Sequence, residues 1–189
     1  TDENVVVPPN LIPSNCKTIT PDMLTLIDLN SEQIEKIALS VPGGAVNIQD
    51  IYPLAPLQEG MLFHHILGEQ GGDTYVVGLA FSVASEEQVN GLIVALQTII
   101  DRHSMLRTAV LWEELPQPIQ VVYRQAILPV DEFALDQTGS PVEQLKNRMR
   151  PENGFQGLDL RKAPLIRLQI TKDAKTKQRY ALLQLHHPR

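Results

Sequence analysis

The clearest periodic stretch is SEEQVNGLIVALQTIIDRH. Val89, Leu92, Ile93, Leu96 and Ile100 recur at helical spacing and predict a long helix over 85–102. Ser85 and Gln88 stand in the order of a capping box at its start. Upstream, LNSEQIEKIALSV places Ile34, Ile37 and Ala38 on one face behind a cap at Asn30 or Ser31. APLQEGMLFHHIL, from Ala55 to about Leu67, puts Leu57, Met61 and His64 on one side of a third helix, with Leu62, His65 and Ile66 on the adjoining side. SPVEQLKNRM predicts a fourth, polar helix. Thr20 followed by Pro21 marks a short helical start.

Between the helices the period drops to that of strands. MLRTAVLW, PIQVVY and AILPVDEF are short strand-like runs. APLIRLQITK and RYALLQLHH, separated by DAKTKQ, predict an antiparallel pair over 164–186. DTYVVGLAFSVAS is apolar at almost every position and reads as a strand covered on both faces or nearly so. Strands adjacent in sequence alternate with helices, which predicts a mixed α/β sandwich rather than a parallel Rossmann ladder. The first twenty residues carry scattered prolines and no period, and read as an extended segment running over a surface.

Composition narrows the function classes. The chain has 189 residues, 43% hydrophobic and 20% charged, with a formal charge of −6 and no dense Lys/Arg stripe, which speaks against a nucleic-acid partner. Cys16 is the sole cysteine, so no internal disulfide is expected. The start lacks the basic and apolar regions of a secretory signal, and GLIVALQTII is too short to span a bilayer. A soluble, cytoplasmic protein is expected, and its start at Thr1 without an initiator methionine suggests a piece of something longer. PGGAVN lacks the lysine and spacing of a phosphate loop.

Four of the five histidines fall in two doublets, His64-His65 and His186-His187. Adjacent histidines lack the i, i+4 spacing of helical zinc sites, so no metal is expected. An imidazole titrating near ~6.5 suits proton transfer at neutral pH.

Three stretches then form an ordered set. IYPLAPLQEGMLFHH, DRHSMLRTAV and LLQLHHPR resemble the first, second and third core motifs of condensation domains from nonribosomal peptide synthetases. His64-His65-Ile66-Leu67, four further residues and Gly72-Asp73 are similar at every position to the signature of the dual condensation/epimerisation subclass. The resemblance implies a chloramphenicol acetyltransferase-like mixed sheet sandwich, of which this chain supplies the N-terminal, donor-side lobe over 47–189. Residues 1–46 resemble the linker that follows an upstream carrier domain. The third motif stops short of its Asp-Gly, and the second lobe is absent from the sequence, so the fragment alone is expected to be inactive.

The resemblance also implies roles. His187 would handle the proton in amide formation, with His186 fixing it, and His64 and His65 would serve inversion of the donor residue from L to D. Substrates would ride on the 4'-phosphopantetheine of upstream and downstream peptidyl carrier domains, loaded by an adenylation domain of the same assembly line, and no cofactor would be bound directly. Arg107 reads as substrate contact or, more simply, as a structural salt bridge. Arg102 and His103 would answer the dipole of the long helix. Gln58 would line the tunnel, cap or pack, and Asp73 completes the signature. Two other readings keep the fold or the fragment but change the job: a stand-alone coenzyme A-dependent acyltransferase, or a non-catalytic docking module.

Overall fold

In the computed structural model, residues 9–67, 76–136, 138–150 and 158–186 are described. Among these the helices are α1 (Ser31–Ser40), α2 (Pro56–Leu67), α3 (Glu86–Arg102) and α4 (Pro141–Arg148). The strands are β1 (Ile48–Pro53), β2 (Val76–Val83), β3 (Thr108–Leu111), β4 (Ile119–Tyr123), β5 (Val130–Glu132), β6 (Ile166–Lys172) and β7 (Arg179–His186). They form two sheets, one ordered β1-β4-β3 and one ordered β2-β7-β6-β5. The second is mixed, because β5 runs parallel to β6 while the other pairs are antiparallel. This is the mixed α/β sandwich expected: the parallel pair β5–β6, with α4 between them in sequence, is a single crossover among antiparallel pairings in the described residues.

Local chemistry explains the helix ends. At α1 the Asn30 side chain accepts from the Gln33 N–H while the Gln33 side chain accepts from the Asn30 N–H, a complete capping box. At α3 Ser85 accepts from the Gln88 N–H, but the Gln88 side chain reaches one residue further, to the Ala84 N–H. Thr20 stands before a 3-10 turn at Pro21–Met23 without a side-chain cap, so proline alone sets that start.

One core joins α1 (Ile34, Ile37) and α3 (Val89, Leu96, Ile100) to both sheets through Ile48, Ile119, Val121, Leu168 and Ala181. A smaller apolar cluster of Leu54, Leu62, Leu160 and Leu165 lies beside it, with Val110 and Trp112 packed against it.

Three expectations need correction. The segment before α1 follows an irregular path, yet Ile12, Cys16, Ile19, Leu24, Ile27 and Leu29 are buried in the main core. Arg124 pins it by donating to the carbonyls of Ile12 and Pro13. Residues 104–107 form a 3-10 turn rather than the start of a strand. Strand β2, expected to be covered, is half-buried or exposed at every residue except Val83. It is the edge of its sheet, paired with β7 alone among the described residues, and an edge strand keeps one flank open to water.

Candidate functional site

One histidine of the first doublet, His65, meets one of the second, His186. The first doublet lies in the last turn of α2. Residues 68–75 then lead to β2, whose first residue, Val76, pairs with His186 at the end of β7. The rings of His65 and His186 meet edge to face, with centroids 6.2 Å apart. His64 points elsewhere: it is exposed, and its ring stands edge-on to Phe63 at 6.2 Å. Neighbouring helical residues differ by about 100° in direction, which is why one member of the doublet turns inward and the other does not. His187 and Asp73 lie outside the described residues, as do Gly68 to Gly72 of the signature.

His186 is buried at 7% exposure, and its backbone N–H donates to the Leu165 carbonyl. It borders a cavity of about 70 Å³ that opens between α2, β3 and β4. Leu54, Leu62, Val110, Leu160 and Leu165 make the walls apolar. The Val110 N–H donates to the Leu160 carbonyl at 2.8 Å, which ties the loop before β6 to the first sheet and closes one side.

Gln58 borders the same cavity and also caps α2. Its Oε1 accepts from the Ala55 N–H at 3.0 Å and from the Gln120 Nε2 at 2.9 Å. Gln120 belongs to the site although sequence reasoning passed over it. The available signal was its position as the one polar residue inside the apolar run IQVVY.

Arg107 is held away from this cavity. Its Nε donates to the Tyr123 carbonyl at 2.9 Å, and its Nη1 to the carbonyls of Ile100 and Asp101 at 2.7 and 2.6 Å. Its Nη2 reaches Gln49 Oε1 at 3.3 Å. These acceptors are carbonyls, so the expected salt bridge is replaced by a guanidinium cap. Arg107 thereby satisfies the last carbonyls of α3, a job expected of Arg102 and His103. His103 contributes its backbone, donating to the Ile99 carbonyl.

Charge near the site is sparse. The nearest ionic group in the sequence of the cavity loop is Asp159, two residues from Arg161. Burial works to raise its carboxyl, but hydrogen bonds from Arg161 and the charges of Arg161 and Lys162 outweigh this and hold it below the ordinary range. Asp50, on β1, is shifted up by burial, partly offset by the Ile51 N–H it accepts. Among the described residues no three His, Cys, Asp or Glu side chains gather as metal ligands do, and no helix is long and apolar enough to cross a membrane.

The family model of the condensation domain matches residues 48–188. The chain belongs to that family. Similar proteins include malpinin synthetase of Mortierella alpina, 47% identical over 171 residues, which are 90% of this chain and 2% of that protein. Tyrocidine synthase 2 of Brevibacillus parabrevis is 33% identical over 127 residues, 65% of this chain and 3% of that protein. The chain thus spans only a few hundredths of such synthetases. Among solved structures, a four-domain nonribosomal peptide synthetase bound to AMP and glycine aligns with TM-score 0.60 at 16% identity, over 74% of this chain and 10% of that one. The starter condensation domain of rhizomide synthetase aligns with TM-score 0.54 at 19% identity, over 72% of this chain and 34% of that one. At these identities the alignments establish the condensation-domain fold, and the sheet sandwich above is part of it.

Proposed function

We propose that this chain is the donor-side lobe of a condensation domain that joins carrier-tethered substrates and inverts the donor residue from L to D beforehand. The observation that carries the reading is the edge-to-face meeting of His65 and His186 beside an apolar cavity. It sets one histidine of the doublet that resembles the subclass signature beside the first histidine of the third-motif doublet.

In amide formation a neutral amine attacks the carbonyl carbon of a thioester. The C–N bond forms, the nitrogen gives up a proton, and the C–S bond breaks to release a thiol that takes a proton in turn. His187 accepts the amine's proton, and His186 positions it. A correctly placed general base contributes about 10²–10⁴-fold. In inversion, the α-proton next to the thioester carbonyl is removed and returned on the opposite face. His65 is the base for this step, because it is the member of its doublet that turns toward His186, whereas His64 faces water. The substrates arrive on phosphopantetheine arms of upstream and downstream carrier domains loaded by an adenylation domain, and a second lobe completes the tunnel.

The test uses the parent synthetase, with donor and acceptor carriers loaded. Wild type converts an L-donor into a D-containing amide. His65→Ala condenses a D-donor but no longer inverts an L-donor, and His187→Ala condenses neither. Condensation persisting in His187→Ala at the wild-type rate would overturn the reading. Transfer from a coenzyme A thioester without carriers would instead identify a free acyltransferase, and a parent inert toward every donor would leave a docking module.

A further inference from the structure

Helix α2 carries His65 to His186, and a polar contact that fixes the helix's turn lies toward its other end. Of residues 56–66, Gln58, Met61, Leu62 and His65 are buried or half-buried, and the rest are exposed. These four stand at i, i+3, i+4 and i+7, which is one stripe of a helix. Gln58 and His65 therefore point the same way, about two turns apart.

Apolar burial does not choose this stripe. Leu62 lies in the small cluster, but Phe63 and Ile66 remain 61 and 41% exposed. A turn of one residue, about 100°, would trade Met61 and His65 for the more apolar Phe63 and Ile66, and would carry Gln58 away from Gln120. A hydrogen bond has direction where burial has none. The Ala55 N–H can only donate, so Gln58 receives it on Oε1, and that same oxygen accepts from the Gln120 Nε2. Gln120 projects from β4 between Ile119 and Val121, both fully buried, so this donor stands on packed core. Just ahead of α2, the Leu54 N–H donates to the Pro118 carbonyl, just ahead of β4. The backbone bond fixes where the helix begins, and the Gln120–Gln58 bond fixes how it is turned.

We infer that Gln120 is a positioning residue for inversion: through Gln58 it holds the rotation of α2 at which His65, and not His64, meets His186. It touches no reacting atom. The inference rests on the proposed function for its chemistry and on these contacts for its geometry.

The experiment has two readouts. In the 189-residue chain, NMR cross-peaks between the ring protons of His65 and His186 report their meeting. In the parent synthetase with loaded carriers, loss of deuterium from the donor's α-carbon reports inversion, and amide formation from a D-donor reports condensation. Gln120→Met keeps the length of the side chain and removes the donor. It is expected to weaken the cross-peaks and to lower the ratio of inversion to condensation about tenfold or more, since small misplacements of a reacting group cost up to ~10²-fold. Once Gln58→Met has removed the acceptor, Gln120→Met should add nothing further. If Gln120→Met does not fold, Gln120→Val, which suits a strand and cannot reach Gln58, replaces it. Cross-peaks of wild-type strength in the variant, an unchanged ratio, or effects of the two substitutions that simply add, overturn the inference. A wild-type parent that condenses but never exchanges its α-deuterium overturns the proposed inversion instead, and the cross-peaks alone then decide whether Gln120 sets the helix.

Discussion

Strands β4 and β2 are built from the same kinds of residue and meet opposite environments. β4 (Ile119–Tyr123) lies between β1 and β3, and Ile119 and Val121 are fully buried. β2 (Val76–Val83) lies at the edge of the other sheet, where Val77, Leu79 and Phe81 are 41, 51 and 36% exposed. The α2 helix beside the same sheet end is similar, with Phe63 and Ile66 also exposed. The difference teaches that an apolar run reports a strand's tolerance for burial, while the topology decides whether burial is supplied. It also separates two parts of the site: β4 holds Gln120 in packed core, whereas β2 and α2 carry exposed apolar side chains near the buried His186.

The largest effect expected concerns what holds the β4 end in place. Arg107→Ala removes the donor to the Tyr123, Ile100 and Asp101 carbonyls at once and should cost roughly 3–5 kcal/mol, read as a lowered urea midpoint. Arg107→Lys should recover little of it, because an ammonium cannot span acceptors arranged for a planar fork.

The contrast between the strands is tested by one pair of truncations. Ile119→Ala in β4 should cost about 2–5 kcal/mol, since it leaves a cavity in packed core. Leu79→Ala in β2 should change stability by no more than ~0.5 kcal/mol. Equal costs would mean that β2 is covered in solution, and Leu79→Lys should then dissociate whatever covers it, seen as a fall in sedimentation coefficient.

The smallest effect is electrostatic. Asp159 sits in the loop that joins the sheets, and its folded pKa is below its unfolded one. Its contribution is therefore present above the unfolded carboxylate range, near ~3.9, and fades as pH falls through the lower folded value. Asp159 is partly exposed and its partner Arg161 is more so, which limits the contribution. Asp159→Asn should lower stability by less than about 1 kcal/mol at pH 7, with the gap to wild type closing in acid.

Much of the architecture was legible because it is written in local chemistry. The α3 stripe, the Asn30 cap of α1 and the β6–β7 pair rest on spacings of a few residues, and the structure has each of them. What escaped depends on contacts distant in sequence. Arg107 bonds to a carbonyl sixteen positions away and to a side chain fifty-eight positions away, so its role as a cap on α3 has no local mark. Gln120 reaches Gln58 across sixty-two positions. The exposure of β2 depends on which strand lies next to it, a fact that its own residues do not contain. The doublets were separately visible, but the meeting of His65 with His186 joins residues more than a hundred positions apart and has no local mark.

The central claim is that the inward histidine of the first doublet moves a proton at the donor's α-carbon. Retention of isotope tests this without waiting for amide formation. A donor thioester bearing deuterium at that carbon is loaded on the upstream carrier of the parent synthetase in ordinary water, and its mass is followed with no acceptor present. Wild type and His64→Ala should lose the deuterium, and His65→Ala should retain it at least about a hundredfold longer. Loss of deuterium from His65→Ala at the wild-type rate would contradict the account and reduce the meeting of His65 and His186 to packing.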